Sequence, residues 1–473
     1  MRLAELRKQM AEADLGVYIV PSEDQHQSEY VSAYDQKRSF ISGFQGSAGV
    51  AIITRDVTSF NETPEGAAAL STDGRYFAQA TDELDFNWIL LKQGAVGEPT
   101  WEEWTVDQAI QLSLDSGSEI SIGVDPKLIT YTLYEKFDSL IKERLLLPKN
   151  SKALIKLLPV AKNLVDLIWS KFEEVPQAPA NIVKVLDAAY HGRNTKDKVA
   201  DIQKKLSEKN CSGIVVSLLD EIAWLLNLRG SDIDFNPVFY SYLLLTADGK
   251  ISLFADSKRF DVPVQATLKE NNVQIFGYGD FWSALQKLTT ELKDKKQRIL
   301  VPKSALWEII RNVKCGYEQI RSPIEDLKGI KNETELKGSK SAHLKDGRAL
   351  IKFFAWLEDQ IVGKYELIDE IAADQKLTEF RKQESNFVGL SFDTISATGA
   401  HGAIIHYKPS KSETAVINPE KIYLCDSGLQ FLDGTTDPTR TPHSGTPTAD
   451  QTRPYTLVPN GHVSLATWKF PEN

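Results

Sequence analysis

The sequence predicts an α/β protein built of two successive α/β blocks, followed by an α+β block that opens on a long helix. Three observations carry this. Short apolar strand runs alternate with helical stretches over residues 1–158, and the same grammar returns over 159–324. Two short matches then relate the blocks at nearly one offset. Phe44-Gln-Gly-Ser47 aligns with Leu228-Arg-Gly-Ser231 at 184 residues, and Thr72-Asp-Gly-Arg-Tyr-Phe77 with Ala255-Asp-Ser-Lys-Arg-Phe260 at 183. Over residues 325–473 the order changes to helices first and strands afterwards.

In the first block the strand runs are Gly16-Val-Tyr-Ile-Val20 and Val50-Ala-Ile-Ile53, and a helix is predicted from Trp101. The second block has Gly213-Ile-Val-Val216 and Tyr242-Leu-Leu-Leu-Thr246 as strands and a helix from Asp280. We read the two blocks as copies. Two unrelated α/β domains sharing common dipeptides are the alternative. In the third block Asn332-Glu-Thr-Glu335 has the form of a capping box, so a helix should run from there through about Glu358. Leu336, Leu344, Ile351, Phe354 and Leu357 are its expected buried face, with Lys345, Asp346 and Arg348 solvated. A second helix is expected over Glu366–Ala373. Strands are then expected at Thr394–Ala397, Gly402–Tyr407, Lys421–Asp426 and Thr435–Asp437.

Composition bounds the function classes. With 42% apolar and 25% charged residues the chain has the make-up of a globular protein with a large core. A net charge of −10 speaks against a nucleic-acid partner or an acidic membrane surface. No apolar run approaches the ~20 residues that span a bilayer. The N-terminus reads as an amphipathic helix and not as a signal peptide. Cys211, Cys315 and Cys425 are too few and scattered for a disulfide framework, so a reducing, cytoplasmic location is expected.

The segment from Tyr423 to Thr441 holds the most suggestive chemistry. Asp426 and Asp437 lie on strand-like segments, and hard carboxylate oxygens on rigid strands suit a pair of divalent ions such as manganese. Geometry makes a demand, however. The simplest hairpin turns at Asp433-Gly434, which pairs Asp437 with Gln430, about 13 Å of strand from Asp426. Sharing metals would need pairing about a loop centred near 431–432, or a bulge at Ser427-Gly428. Otherwise Asp426 is a strand-end capping group and Asp437 an Asx-turn residue before Pro438.

His406 follows the apolar run Ala403-Ile-Ile405 and reads either as a core or surface histidine or as a stabiliser of a tetrahedral oxyanion. His401, His443 and His462 read as structural or exposed. Cys425 reads as a core residue facing away from Asp426. Arg75 follows a turn signal and could reach a substrate carboxylate or carbonyl. Asp220-Glu221 and Arg229 read as domain–domain contacts.

Longer stretches carry a resemblance. Pro21-Ser-Glu-Asp-Gln-His-Gln-Ser-Glu-Tyr30, Ser42-Gly-Phe-Gln-Gly-Ser-Ala-Gly49 and Thr72-Asp-Gly-Arg-Tyr-Phe77 lie in the first block. Residues 219–232 and Asn236-Pro-Val-Phe239 lie in the second, and Gly402-Ala-Ile-Ile-His-Tyr407 and Asp426-Ser-Gly…Asp437-Pro-Thr-Arg440 in the third. Together they resemble the cytosolic Xaa-Pro aminopeptidase (aminopeptidase P) family of the creatinase/prolidase, or pita-bread, superfamily.

That resemblance implies two creatinase-type N-terminal domains, 1–158 and 159–324, and an incomplete pita-bread metallopeptidase domain, 325–473. It implies two Mn2+ ions per complete subunit, a homodimer, and release of the N-terminal residue from peptides with proline in second position. A hydroxide bridging the two ions attacks the carbonyl of the Xaa-Pro bond in that family. Asp426 matches a ligand of one metal and Asp437 a carboxylate bridging both. His406 matches the histidine near the developing oxyanion, and Arg75 a peptide-binding arginine. The family's later histidine ligand, its two glutamate ligands and a second peptide-contacting histidine find no counterpart, since only His443, His462 and Glu472 follow Asp437. These residues alone are therefore expected to bind Mn2+ weakly and to lack aminopeptidase activity. Two further classes stay open: a non-catalytic protein using the first two domains for dimerisation or partner binding, and a pita-bread relative with different chemistry, such as creatine or dipeptide hydrolysis.

Overall fold

The computed structural model describes residues 1–58 and 65–471, which leaves Glu472 outside the described residues. The chain divides into two compact units, Met1–Glu335 and Leu336–Asn473.

The first unit contains two six-stranded sheets. One comprises β1 (Val17–Pro21), β2 (Val50–Thr54), β3 (Ala68–Thr72), β4 (Ile89–Lys92), β5 (Glu119–Val124) and β6 (Leu154–Pro159), in spatial order β4-β3-β2-β1-β5-β6. The other comprises β7 (Gly213–Val216), β8 (Tyr242–Thr246), β9 (Ile251–Phe254), β10 (Val273–Phe276), β11 (Arg298–Pro302) and β12 (Gly316–Ile320), in order β10-β9-β8-β7-β11-β12. In the first sheet two antiparallel pairings, β1–β2 and β2–β3, sit between parallel neighbours. The second sheet repeats that pattern strand for strand. A shared mixed topology supports the duplication that the two offset matches suggested. Helices cover both faces of each sheet, which is why strands such as β1 and β7 are buried throughout and read as continuous apolar runs.

The two sheets' domains meet at a buried histidine. His26 Nδ1 donates to the Ser217 carbonyl at 2.8 Å, which fixes the tautomer, so Nε2 accepts from the Tyr278 hydroxyl at 2.7 Å. The rings of Tyr240 and Tyr242 pack against it. Burial holds the imidazole neutral and pushes its pKa down to about 4.

At the end of the first unit the capping box forms as the sequence predicts. Asn332 Oδ1 accepts from Glu335 N at 3.0 Å and Glu335 Oε2 accepts from Asn332 N at 2.9 Å, and helix α1 spans Glu333–Glu358. Its buried face differs from the expected one. Leu344 and Ile351 are exposed, whereas Ala342, Lys345, Asp346, Ala349, Leu350, Phe353 and Leu357 face inward. Two charged residues win the inner face because each finds a partner there: Lys345 Nζ donates to Asp433 at 2.6 Å, and Asp346 pairs with Arg381 at 2.8 Å. Arg348 does stay outside, paired with Glu384.

Helix α2 runs over Glu370–Lys382, later and longer than expected, because Asp369 caps it by accepting from Ala372 N at 2.7 Å. Two three-stranded sheets follow. One is β13 (Phe387–Leu390), β16 (Leu429–Phe431) and β17 (Gly434–Thr435). The other is β14 (Ile395–Thr398), β15 (Tyr423–Asp426) and β18 (Thr439–Arg440). Helix α3, Ala449–Ala466, closes the described chain. No helix among the described residues is long and apolar enough to cross a membrane.

Candidate active site

Asp426 ends β15, pairing with Ile395 on one side and Thr439 on the other. The hairpin that follows turns at Leu432-Asp433, with Phe431 opposite Gly434 and Gln430 opposite Thr435. The same register continues through Leu429 N to the Thr436 carbonyl at 3.2 Å and Ser427 N to the Pro438 carbonyl at 3.4 Å. Asp437 therefore lies opposite Gly428, two residues from Asp426 and not four. Along the strand that is about 7 Å and on the same face, close enough for two carboxylates to address one ion pair.

This outcome falls midway between the two registers the sequence left open, and no bulge at Ser427-Gly428 is needed. The cause lies on α1. Lys345 holds the Asp433 carboxylate, and Gly338 lets the helix backbone touch the Asp433 carbonyl, where any Cβ would collide. The turn is pinned one residue early. Gly434 accordingly does not take the left-handed conformation that an Asp-Gly turn would require. Gly428 is equally constrained, since a Cβ there would overlap the Thr436 carbonyl and the Ser391 hydroxyl.

The two aspartates sense each other. Asp437 is at the exposed rim, yet partial desolvation and then the charge of Asp426 raise its carboxyl above the ordinary range. Asp426 Oδ1 is buried and has no hydrogen-bond partner among the described residues. An orphaned carboxylate oxygen beside a second carboxylate suits a hard divalent cation. The pair is not a full ligand set: no cluster of three or more His, Cys, Asp or Glu side chains able to hold a metal occurs among the described residues.

His406 corrects the expected strand at Gly402–Tyr407. Residues Gly399–Ala403 form a 3-10 turn, and His406 follows in a turn, half-buried. A carboxylate in the core shapes this loop. Glu370, fully buried on α2, accepts from Thr398 N at 2.7 Å, Ala415 N at 2.9 Å, the Tyr407 hydroxyl at 2.7 Å and His401 Nδ1 at 3.0 Å. His401 thus has a structural part, as expected, and stacks on Tyr407. Sequence reasoning missed Glu370 because its four partners come from three separate segments. Cys425 is a core residue, its thiol pushed up to about 11 by burial.

Arg75, in the first unit, grips Asp73 with both Nε and Nη2 at 2.8 Å and lies over the Tyr76 ring. Its guanidinium is preset in orientation while remaining about 40% exposed. Arg229 donates to the Ala223 and Leu228 carbonyls. Asp220 pairs with Lys328.

Residues 2–157 and 174–335 each match creatinase/prolidase N-terminal domains, and residues 337–472 match metallopeptidase family M24. The probable Xaa-Pro aminopeptidase P of Sordaria macrospora is 46% identical over 478 residues, covering all of this chain and 73% of that protein. The chain belongs to the aminopeptidase P family. A crystal structure of X-prolyl aminopeptidase from Caenorhabditis elegans, described as a cytosolic enzyme with a di-nuclear active site, superposes with a TM-score of 0.88. Its sequence is 33% identical, and the match covers 100% of this chain and 74% of that one. Two creatinase-type α/β domains followed by an M24 pita-bread domain are therefore the fold. The chain spans 66% of the length of two other relatives, a Saccharomyces cerevisiae protein 46% identical and the probable Xaa-Pro aminopeptidase P of Neurospora crassa, 45% identical.

Proposed function

We propose that these residues belong to a two-metal Xaa-Pro aminopeptidase that releases the N-terminal residue from peptides with proline in second position. The carrying observation is the pairing register that brings Asp426 and Asp437 within two residues of each other, one with an orphaned buried oxygen. Relatives named Xaa-Pro aminopeptidase and the di-nuclear neighbour support the same reading. They do not favour a non-catalytic dimerisation or partner-binding protein.

In this proposal Asp426 and Asp437 would hold the ions, with Mn2+ the expected metal, and bound ions supply Lewis-acid activation of a carbonyl and of water. His406 would stand near the peptide oxygen that gains charge, its loop held by Glu370. Arg75, held by Asp73, would orient the peptide. We retain the division into 1–158, 159–324 and 325–473, a homodimer, and a cytoplasmic location; the last is supported by the cytosolic neighbour.

The test is release of arginine from Arg-Pro-Pro with Mn2+ by protein expressed from the full reading frame that encodes these residues. Cleavage is expected, with little on Arg-Ala-Pro, and Asp426→Asn and Asp437→Asn should abolish it. No release by the unaltered protein, or equal cleavage of both peptides, would overturn the reading. Residues 1–473 by themselves should show no turnover, because two carboxylates leave each ion short of its usual ligand number.

A further inference from the structure

Behind the two aspartates lies a buried network that the reading above does not use. Arg381 on α2 and Asp346 on α1 form a two-pronged pair, Nε to Oδ1 at 2.8 Å and Nη2 to Oδ2 at 3.2 Å. Both are essentially inaccessible to solvent, at 0% and 1% exposure. Each partner then reaches a hydroxyl on the hairpin. Arg381 Nη2 donates to Ser427 Oγ at 3.0 Å, and Thr436 Oγ1 donates to Asp346 Oδ2 at 2.6 Å. Thr436 Oγ1 also accepts from Leu429 N at 3.1 Å, tying the two hairpin strands together.

The chain positions of these hydroxyls are telling. Ser427 immediately follows Asp426, and Thr436 immediately precedes Asp437. Successive residues of a strand point to opposite faces, so the hydroxyls turn inward to the helices while the carboxylates take the other face. One ion pair thus grips both strands at the peptide units that carry the two aspartates. Held between two helices, it offers the hairpin a rigid ruler.

Stability alone is a weak reason for such a pair. Desolvating two charges offsets most of their attraction, and a well-packed apolar replacement is often neutral. Arg381 Nη1 is moreover buried with no partner among the described residues. We propose that the Asp346–Arg381 pair, acting through Ser427 and Thr436, is a positioning device that sets the spacing of Asp426 and Asp437 for cation binding. This rests on the two-carboxylate reading of the site.

Tb3+ serves as the probe, because its higher charge should bind a partial oxygen site more tightly than Mn2+ does. Calorimetric titration of Tb3+ into residues 1–473 measures the binding component that Asp426→Asn removes. Ser427→Ala and Thr436→Val are expected to weaken that component by about 10–100-fold, the range found when groups supporting metal ligands are removed. The double variant Asp346→Leu/Arg381→Met separates positioning from folding. It should melt near the wild-type temperature yet bind Tb3+ as weakly as the hydroxyl variants. Wild-type Tb3+ affinity in the two hydroxyl variants, or in a normally melting double variant, would overturn the proposal while sparing the two-carboxylate site. Tb3+ binding indifferent to Asp426→Asn would overturn both. Should the double variant fail to fold, the hydroxyl variants decide.

Discussion

At the scale of single residues, two features set testable limits. Glu221 is buried, and desolvation outweighs the lowering effect of the Ser322 hydroxyl beside it and raises its pKa to about 7. Between about pH 4.5 and 7 the folded state keeps a proton that the unfolded chain has lost, so stability falls as pH rises through that window. Glu221→Gln should therefore match wild type near pH 4.5 and exceed it by roughly 3 kcal/mol at pH 8, read from melting curves across pH. An offset independent of pH would show that the burial of charge is not the cause. Gly428 gives the second limit. Gly428→Ala drives a Cβ into the Thr436 carbonyl and the Ser391 hydroxyl and should cost about 1–3 kcal/mol, measured by denaturant unfolding.

Residue chemistry was only partly legible in the sequence. Asp426 and Asp437 stood out by type, but their spacing depends on Lys345 and Gly338 pinning the turn from α1, a contact about ninety residues away in sequence. Glu370 gave no sequence signal at all, since a glutamate opening a helix is ordinarily solvated. Lys345 and Asp346 depart from the solvated face expected of them for the same reason: the partners that keep them buried, Asp433 and Arg381, come from distant segments.

At the scale of elements, periodicity served well where packing was its only competitor. The first-unit strands at Val17, Val50, Gly213 and Tyr242 and the capping box at Asn332 needed no knowledge of partners. The run Gly402–Tyr407 failed because four hydrogen bonds to Glu370 outweigh strand propensity and leave Ile405 exposed. Helix α3 presents the opposite case. It contains Pro454 and Pro459 in its interior, and none of its residues is buried. Each interior proline costs about 3 kcal/mol of helix stability, with no burial to offset it. Replacing both by alanine should raise helical content in far-UV circular dichroism and slow amide exchange over 449–466. Unchanged exchange there would show that the prolines do not limit this helix.

At the scale of the molecule, the repeat is legible because two short matches, at offsets of 184 and 183 residues, survive beside the strands of both sheets. The joint between the two domains is not, since the partners Ser217, Tyr240, Tyr242 and Tyr278 lie 191 or more residues from His26. It is buried neutral with a pKa near 4, below its unfolded value, so stability of the first unit should fall as pH drops from about 6.5 through 4. His26→Phe should remove that acid sensitivity while losing the bonds to Ser217 and Tyr278, lowering the melting temperature at pH 7 and flattening its profile below pH 6.5.

The central claim is that Asp426 and Asp437 face one cation site. Anomalous diffraction at the manganese edge, from crystals of the protein soaked in saturating Mn2+, tests it most directly. The expected result is a manganese peak within about 2.0–2.6 Å of a carboxylate oxygen from each aspartate. Manganese bound elsewhere, with the two carboxylates turned apart and no peak between them, would contradict the account.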